Sequence, residues 1–339
     1  MNFTSDNCYG ASPEILAALA RENAGPQPSY GDDAASRRLT ARFSEIFERE
    51  VAVFPLISGT AANALALSTL VPAQGAILCH AASHIVTDEC GAVELFSHGA
   101  RLVPLEGAAG KLTPAAIGTA LPRFEKGSVH HVQPMAVSLT NATELGTVYR
   151  PKEIAAIAEV AHAEGLKMHM DGARFANALA SLDCSPAELT WRAGIDVLSF
   201  GAAKNGALGA EAVVFFDPAL AGDFVWRRKK AGHLLSKMRF VAVQLEAYLE
   251  GGLWLRNAAR ANALARHLAQ NMPGELATPV EANEVFVRIP DATVARLRAA
   301  GALFYDWAPS ESGSTLIRLV TSFATPDADI AELIALARS

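Results

Sequence analysis

Residues 196–216 read DVLSFGAAKNGALGAEAVVFF: two apolar runs, Val197–Phe200 and Ala212–Phe216, joined by a turn that carries one cation, Lys204. Short apolar runs bounded by glycine are the pattern of buried strands. An ordinary surface turn carries several charges, whereas Lys204 has alanine, glycine and asparagine for neighbours. The stretch therefore predicts strand, cleared turn, strand, with the lysine held in open space. Upstream, LKMHMD (166–171) predicts another strand and RFANALAS (174–181) the start of a helix.

The same alternation extends back to residue 51. VAVFPLI (51–57) reads as a buried strand running into the alanine-rich helix SGTAANALALSTLV (58–71). GAILCH (75–80) and ARLVPL (100–105) are strands, with a helix around VTDECGAVELFSHG (86–99) between them. HHVQPMAVSLTN (130–141) is a strand and KEIAAIAEVAHAEG (152–165) a helix. Strand–helix repetition of this kind predicts an α/β fold, an open and mostly parallel sheet of seven strands flanked by helices. After Asp217 the pattern changes. One long helix is expected from about 223 to 249, and beyond Gly251–Gly252 come NEVFVRIP, ALFYDW and STLIRLVTSF, interleaved with helical segments. The expected organisation is a large domain over 1–250, with an N-terminal arm at 1–12, and a smaller α+β domain over 251–339.

Composition narrows the partners. With a formal net charge of −6 and no long basic run, nucleic acid is not an expected ligand. The one cationic cluster, Arg227–Lys230, reads as a solvated helix face. Four cysteines without a C-x-x-C pair form neither a disulfide framework nor a zinc pattern, which suits a reducing cytoplasm. No metal site is expected. No apolar span is long enough to suggest secretion or membrane insertion.

Three polar features fall at strand ends, where open α/β sheets bind ligands. Ser58, Gly59 and Thr60 mark a strand-to-helix junction, where free N–H groups and hydroxyls suit a phosphate, or where a serine simply caps the helix. Asp171 ends a strand, with Arg174 three residues on; it either caps the next helix or holds a protonated ring nitrogen. Lys204 is an exposed loop lysine or, where water is excluded, a nucleophile for carbonyl groups. In this order the three match one ligand: pyridoxal 5'-phosphate offers a phosphate, a ring nitrogen and an aldehyde.

With FTSDN (3–7), YGDD (30–33), SGTAAN (58–63), HIVTDECGA (84–92), MDGARFANA (170–178), SFGAAKNG (199–206) and LIRLVTSF (316–323), the chain resembles the threonine aldolase and β-eliminating lyase family of fold-type I pyridoxal-phosphate enzymes. The low-specificity L-threonine aldolases are the nearest group. The resemblance spans essentially the whole chain. It implies the following roles. Lys204 links to the cofactor, Asp171 bonds the ring nitrogen, and Gly59 and Thr60, with Ser58, hold the phosphate. Arg174 approaches the cofactor or the substrate carboxylate. His84 stacks on the ring near the substrate hydroxyl, and Ser5 and Arg318 bind the substrate carboxylate. Tyr30 enters from a neighbouring subunit, in a homo-oligomer whose active unit is a dimer and whose full assembly is a tetramer. Arg318 sits in the apolar stretch LIRLV, where a charge needs a partner, either that carboxylate or a structural ion pair.

The sequence departs from the family in two places. Ala202 and Ala203 stand before the lysine where relatives commonly have glycine and threonine, and SLTNATELGTVY (138–149) lacks a histidine that some relatives have. The implied activity is retro-aldol cleavage of β-hydroxy-α-amino acids such as L-threonine, L-allo-threonine and phenylserine to glycine and an aldehyde. Other reactions of the same cofactor (β-elimination, racemisation, transamination) stay open, as does a non-catalytic binding protein.

Overall fold

Seven strands form one sheet in the order β1-β7-β6-β5-β4-β2-β3, in a computed structural model that describes residues 1–339. They are β1 (Ala52–Leu56), β2 (Gly75–His80), β3 (Arg101–Leu105), β4 (Gln133–Thr140), β5 (Lys167–Gly172), β6 (Val197–Gly201) and β7 (Glu211–Phe215). β7 is antiparallel to both of its neighbours and every other pairing is parallel. β2, β6 and β7 are buried along their whole length, which is why they read as unbroken apolar runs rather than alternating ones. This is the fold-type I architecture that the resemblance implied.

Because β1, β2, β4, β5 and β6 all run the same way, their carboxyl ends share one edge. Ser58, His84, Thr140, Asp171 and Lys204 follow or end those strands and so meet there. Antiparallel neighbours need only a short connection, and the turn carrying Lys204 is that connection between β6 and β7.

An aromatic cluster under the turn fixes its position. Phe200 meets Phe43 edge-on at 5.1 Å and Trp254 at 5.8 Å. Asn205, next to the lysine, donates from Nδ2 to the Tyr248 hydroxyl at 2.7 Å and to the Trp254 carbonyl at 2.8 Å. Asn257 donates to the Asn205 carbonyl and to Ser12 Oγ, both at 2.9 Å. Gly206 has φ +122°, and a Cβ there would stand 2.3 Å from Ser12 Oγ. Gly206→Ala should therefore lower stability by about 1–3 kcal/mol through strain and overpacking together. An unchanged thermal midpoint would show that the turn is not held this way.

Two expected helices are broken. The span 223–249 is Phe224–Lys230 and then Arg239–Leu249, because Gly232 adopts φ +78° just past the first helix and ends it. The helix expected around 86–99 is split in the same manner, into His84–Thr87 and Ala92–Phe96, by Cys90 and Gly91, both left-handed at φ +52° and +72°.

A second sheet, antiparallel, has the order β10-β11-β9-β8, with β8 (Glu275–Leu276), β9 (Glu284–Pro290), β10 (Tyr305–Glu311) and β11 (Ser314–Val320). The helix Leu253–Asn271 feeds both cores: Trp254 and Ala258 pack with the large sheet, Leu264 and Leu268 with the small one. The N-terminal arm also reaches the small core. Phe3 is fully buried there; its N–H donates to Leu303 and its carbonyl accepts from Val320. No helix is long and apolar enough to cross a membrane.

Candidate active site

A cavity of about 290 Å³ opens at the carboxyl edge of the large sheet. Seven of the ten residues singled out in the sequence line it: Ser58, Gly59, Thr60, His84, Asp171, Arg174 and Lys204. Ser5, Tyr30 and Arg318 do not. Ser5 lies beside the cavity, its Oγ accepting at 3.1 Å from the N–H of Asn7, which is in the lining. Tyr30 is half exposed, with the Lys229 ammonium 4.3 Å from its ring centre. Arg318 donates twice to Glu284 Oε1, at 3.0 and 2.7 Å, and lies over the Trp307 ring.

The Ser58–Thr60 junction forms the start of a helix, as its sequence suggested. Ser58 caps the helix Gly59–Leu70, with Oγ accepting from the Ala61 N–H at 3.3 Å. The first-turn N–H groups of such a helix have no partner within it and carry its positive end. Gly59 faces open space, with nothing within 4 Å of where a Cβ would be.

Asp171 is buried at the end of β5. Its Oδ1 accepts from the Ala173 N–H at 2.9 Å and its Oδ2 from Asn63 Nδ2 at 2.7 Å. Behind it on the same strand, the His169 imidazole lies between Ser138 and Ser199 hydroxyls at 2.9 Å each, and burial pushes its pKa down to about 4. That imidazole is neutral at ordinary pH and adds no charge beneath Asp171.

Three carboxyls went unnoticed in the sequence. Glu211 Oε2 accepts from the Ala202 N–H at 2.9 Å, and burial lifts its pKa to about 7. Glu144 Oε1 accepts from the His84 N–H and from Thr140 Oγ1, both at 2.8 Å; its Oε2 is buried without a partner, and burial lifts this pKa to about 7 as well. Glu89 Oε1 accepts from Asn63 Nδ2 at 2.8 Å and lies 2.9 Å from His84 Nδ1. Burial raises the Glu89 pKa, with the bonds from His84 and Asn63 opposing. A signal existed for Glu211, a lone carboxylate opening the apolar run EAVVFF, and for Asn63 and Glu89, which lie inside SGTAAN and HIVTDECGA. The two alanines before the lysine also have an account. Ala202 is fully buried in the core with its N–H on Glu211, and Ala203 lines the cavity.

Arg174 is held on both sides. Nε and Nη2 donate to the two oxygens of Asp6 at 2.8 and 3.1 Å, and Nη1 lies 3.3 Å from Glu284 Oε2. Asn283 Nδ2 donates to Asp6 at 3.0 Å. Burial on its own would raise the Asp6 pKa, but the charges of Arg174 and Lys204 outweigh it and hold the carboxyl below its usual range. A continuous chain, Asp6–Arg174–Glu284–Arg318, thus ties the arm to the end of β5 and to the small sheet.

These residues fit pyridoxal phosphate. Free N–H groups at a helix start face the cavity, a buried carboxylate stands across from them, and Lys204 is the sole lysine in the lining. A helix start suits the phosphate, the carboxylate a protonated ring nitrogen and the amine an aldehyde.

Known proteins share both sequence and shape with this chain. The family model described as "Beta-eliminating lyase" matches residues 2–292. A low specificity L-threonine aldolase from Pseudomonas sp. (strain NCIMB 10558) is 45% identical over 337 residues, 98% of this chain and 96% of that one. One from Pseudomonas aeruginosa is 47% identical over 307 residues, 89% of this chain and 88% of the relative. The structure of Leishmania major threonine aldolase superposes with a TM-score of 0.94 at 29% identity, covering 99% of this chain and 98% of that one. Sequence and overall shape agree, and the chain belongs to the threonine aldolase and β-eliminating lyase family.

Proposed function

We propose that this chain is a lyase that uses pyridoxal phosphate to cleave β-hydroxy-α-amino acids, L-threonine and L-allo-threonine among them, to glycine and an aldehyde. The observation that carries this reading is one cavity that joins Lys204, Asp171 and the Ser58–Thr60 helix start to an imidazole, His84. The bound cofactor supplies the aldehyde that takes up the substrate amine and the ring that accepts the electrons of the broken bond.

The chain's residues do the rest. Lys204 supplies the amine that anchors the cofactor. Asp171 keeps the proton on the ring nitrogen, and the first-turn N–H groups of Gly59 and Thr60, with Ser58, neutralise the phosphate. Arg174, together with Ser5 and Arg318, would fix the substrate carboxylate and so orient the substrate for cleavage of its Cα–Cβ bond. Ser5 lies beside the cavity through Asn7, and Arg318, outside the lining, is linked to Arg174 through Glu284. His84, or a water it positions, takes the proton of the β-hydroxyl as the Cα–Cβ bond breaks and the aldehyde leaves. Tyr30, exposed on its own subunit, completes the site of a neighbour in a homodimer, and two dimers form a tetramer. The protein works in the cytoplasm, as its cysteine pattern suggests.

Purified protein supplied with pyridoxal phosphate should produce glycine and acetaldehyde from L-threonine or L-allo-threonine, and glycine from phenylserine. Pyruvate and ammonia from serine, or amino transfer to a keto acid, without glycine from any of the three would replace this reading with another reaction of the same cofactor.

A further inference from the structure

Asn63 and Glu89 are buried polar residues that the roles above leave unused. One nitrogen, Asn63 Nδ2, lies 2.7 Å from Asp171 Oδ2 and 2.8 Å from Glu89 Oε1. Its amide orientation is determined by those contacts, since an oxygen in that place would face two acceptors. Both N–H groups are therefore committed, one to each carboxylate. They bridge two carboxyl groups that would otherwise face each other with no donor between them.

Glu89 Oε1 has a second neighbour, His84 Nδ1 at 2.9 Å. The two neutral tautomers of His84 are not equivalent there. With the proton on Nδ1 the contact is a hydrogen bond to a carboxylate; with the proton on Nε2, an Nδ1 lone pair faces that carboxylate instead. His84 Nε2 bonds no other group of the chain.

We infer that Asn63 and Glu89 are positioning residues that hold His84 with its proton on Nδ1 and Nε2 free as an acceptor, and that Asn63 ties this state to the Asp171 carboxylate. The inference deepens the aldolase reading, because an imidazole can take a hydroxyl proton only through an unprotonated nitrogen. The partner carboxylate also makes that imidazole a stronger base. The bond to Glu89 is the leading influence raising the His84 pKa, with burial opposing it. The other charges facing the ring are Asp171 from β5, which raises the pKa, and Lys204 from the β6–β7 turn, which lowers it. Glu144 faces only its backbone N–H. A carboxylate behind a histidine does the same orienting work at many metal and hydrolase sites.

The test uses full-length protein reconstituted with pyridoxal phosphate and labelled with ¹⁵N at histidine, His84 being assigned by the signal lost in His84→Asn. Above its titration, wild-type His84 should show a protonated Nδ1 and an unprotonated Nε2. In Glu89→Gln the tautomers should mix and the titration should move to lower pH, because an anionic partner is gone. Asn63→Ser should shift the same signals in the same sense while Glu89 is still present. In turnover assays, Glu89→Gln should lose about 10- to 100-fold in kcat with little change in KM, part of the 10²–10⁴-fold that a positioned base supplies. Its low-pH limb should shift to lower pH. A residue that merely supports the fold would lower the amount of active protein without moving that limb or the tautomer. Wild-type His84 protonated on Nε2, or a Glu89→Gln spectrum and limb identical to wild type, would overturn the inference. The spectra do not depend on which reaction is catalysed, so failure of the aldolase reading would appear only in the products.

Discussion

Lys204→Ala should lose the visible absorbance of lysine-bound cofactor and at least ~10³-fold in turnover, the scale on which single catalytic groups act. No second lysine lines the cavity to take its place. The turn itself should survive the change. Asn205, Gly206 and the Ala202 N–H hold it through Tyr248, Trp254, Ser12 and Glu211, and none of those bonds uses the lysine side chain. Circular dichroism should therefore match wild type while absorbance and product formation disappear together. Full activity in this variant would remove Lys204 from the role proposed for it.

Arg174→Met should be the most destabilising single change at the site. The guanidinium is buried against two carboxylates, Asp6 and Glu284, that are themselves almost fully buried. Removing one member of such a group leaves the others uncompensated, at a cost of about 3–5 kcal/mol. The loss should depend on pH in a defined sense. Asp6 is held below its usual range in the folded protein, so its contribution is complete above the ordinary carboxylate pKa, near 4, and is lost as pH falls through the folded value. In the variant the same carboxyl has lost its main cation, and protonation relieves it. Urea midpoints of wild type and variant should lie far apart at pH 7, narrow as the variant's Asp6 takes up its proton, and converge only below pH 4, where Asp6 is protonated in folded wild type as well. A gap under about 1 kcal/mol at pH 7, or one independent of pH, would show that the ion chain adds little to stability.

Much of this was legible in the sequence because the sheet is parallel and buried. Apolar runs such as VLSF and AVVFF read directly as strands, and polar residues at their carboxyl ends fall on the ligand edge by topology alone. That logic placed Lys204, Asp171 and Ser58–Thr60. It could not place Glu144, which reaches the His84 N–H across 60 positions, or Asn63, which reaches Asp171 across 108. Those partners depend on strand order, which periodicity does not contain. The helix break at Gly232 was missed because a single glycine in a helical pattern is tolerated more often than not, and here its left-handed φ ends the helix. Arg318 shows the opposite case. The cost of a charge in LIRLV correctly demanded a partner, and the one within reach is Glu284 on the adjacent strand.

The docking of the arm has a consequence for how the protein is made. Phe3 is covered by residues of the small core, and Asp6 meets Asn283, 277 positions further on. Contacts of such separation form late, after the loop between them has closed. At a synthesis rate of 5–20 residues per second, a nascent arm waits roughly 15 to 60 s for its seat to emerge. The β6–β7 turn with Lys204 gains its supports, Tyr248, Trp254 and Asn257, only shortly before that. Arg174 lacks one of its two carboxylates until Glu284 has been added, so the ion chain that joins the arm, the end of β5 and the small sheet can close only late in synthesis.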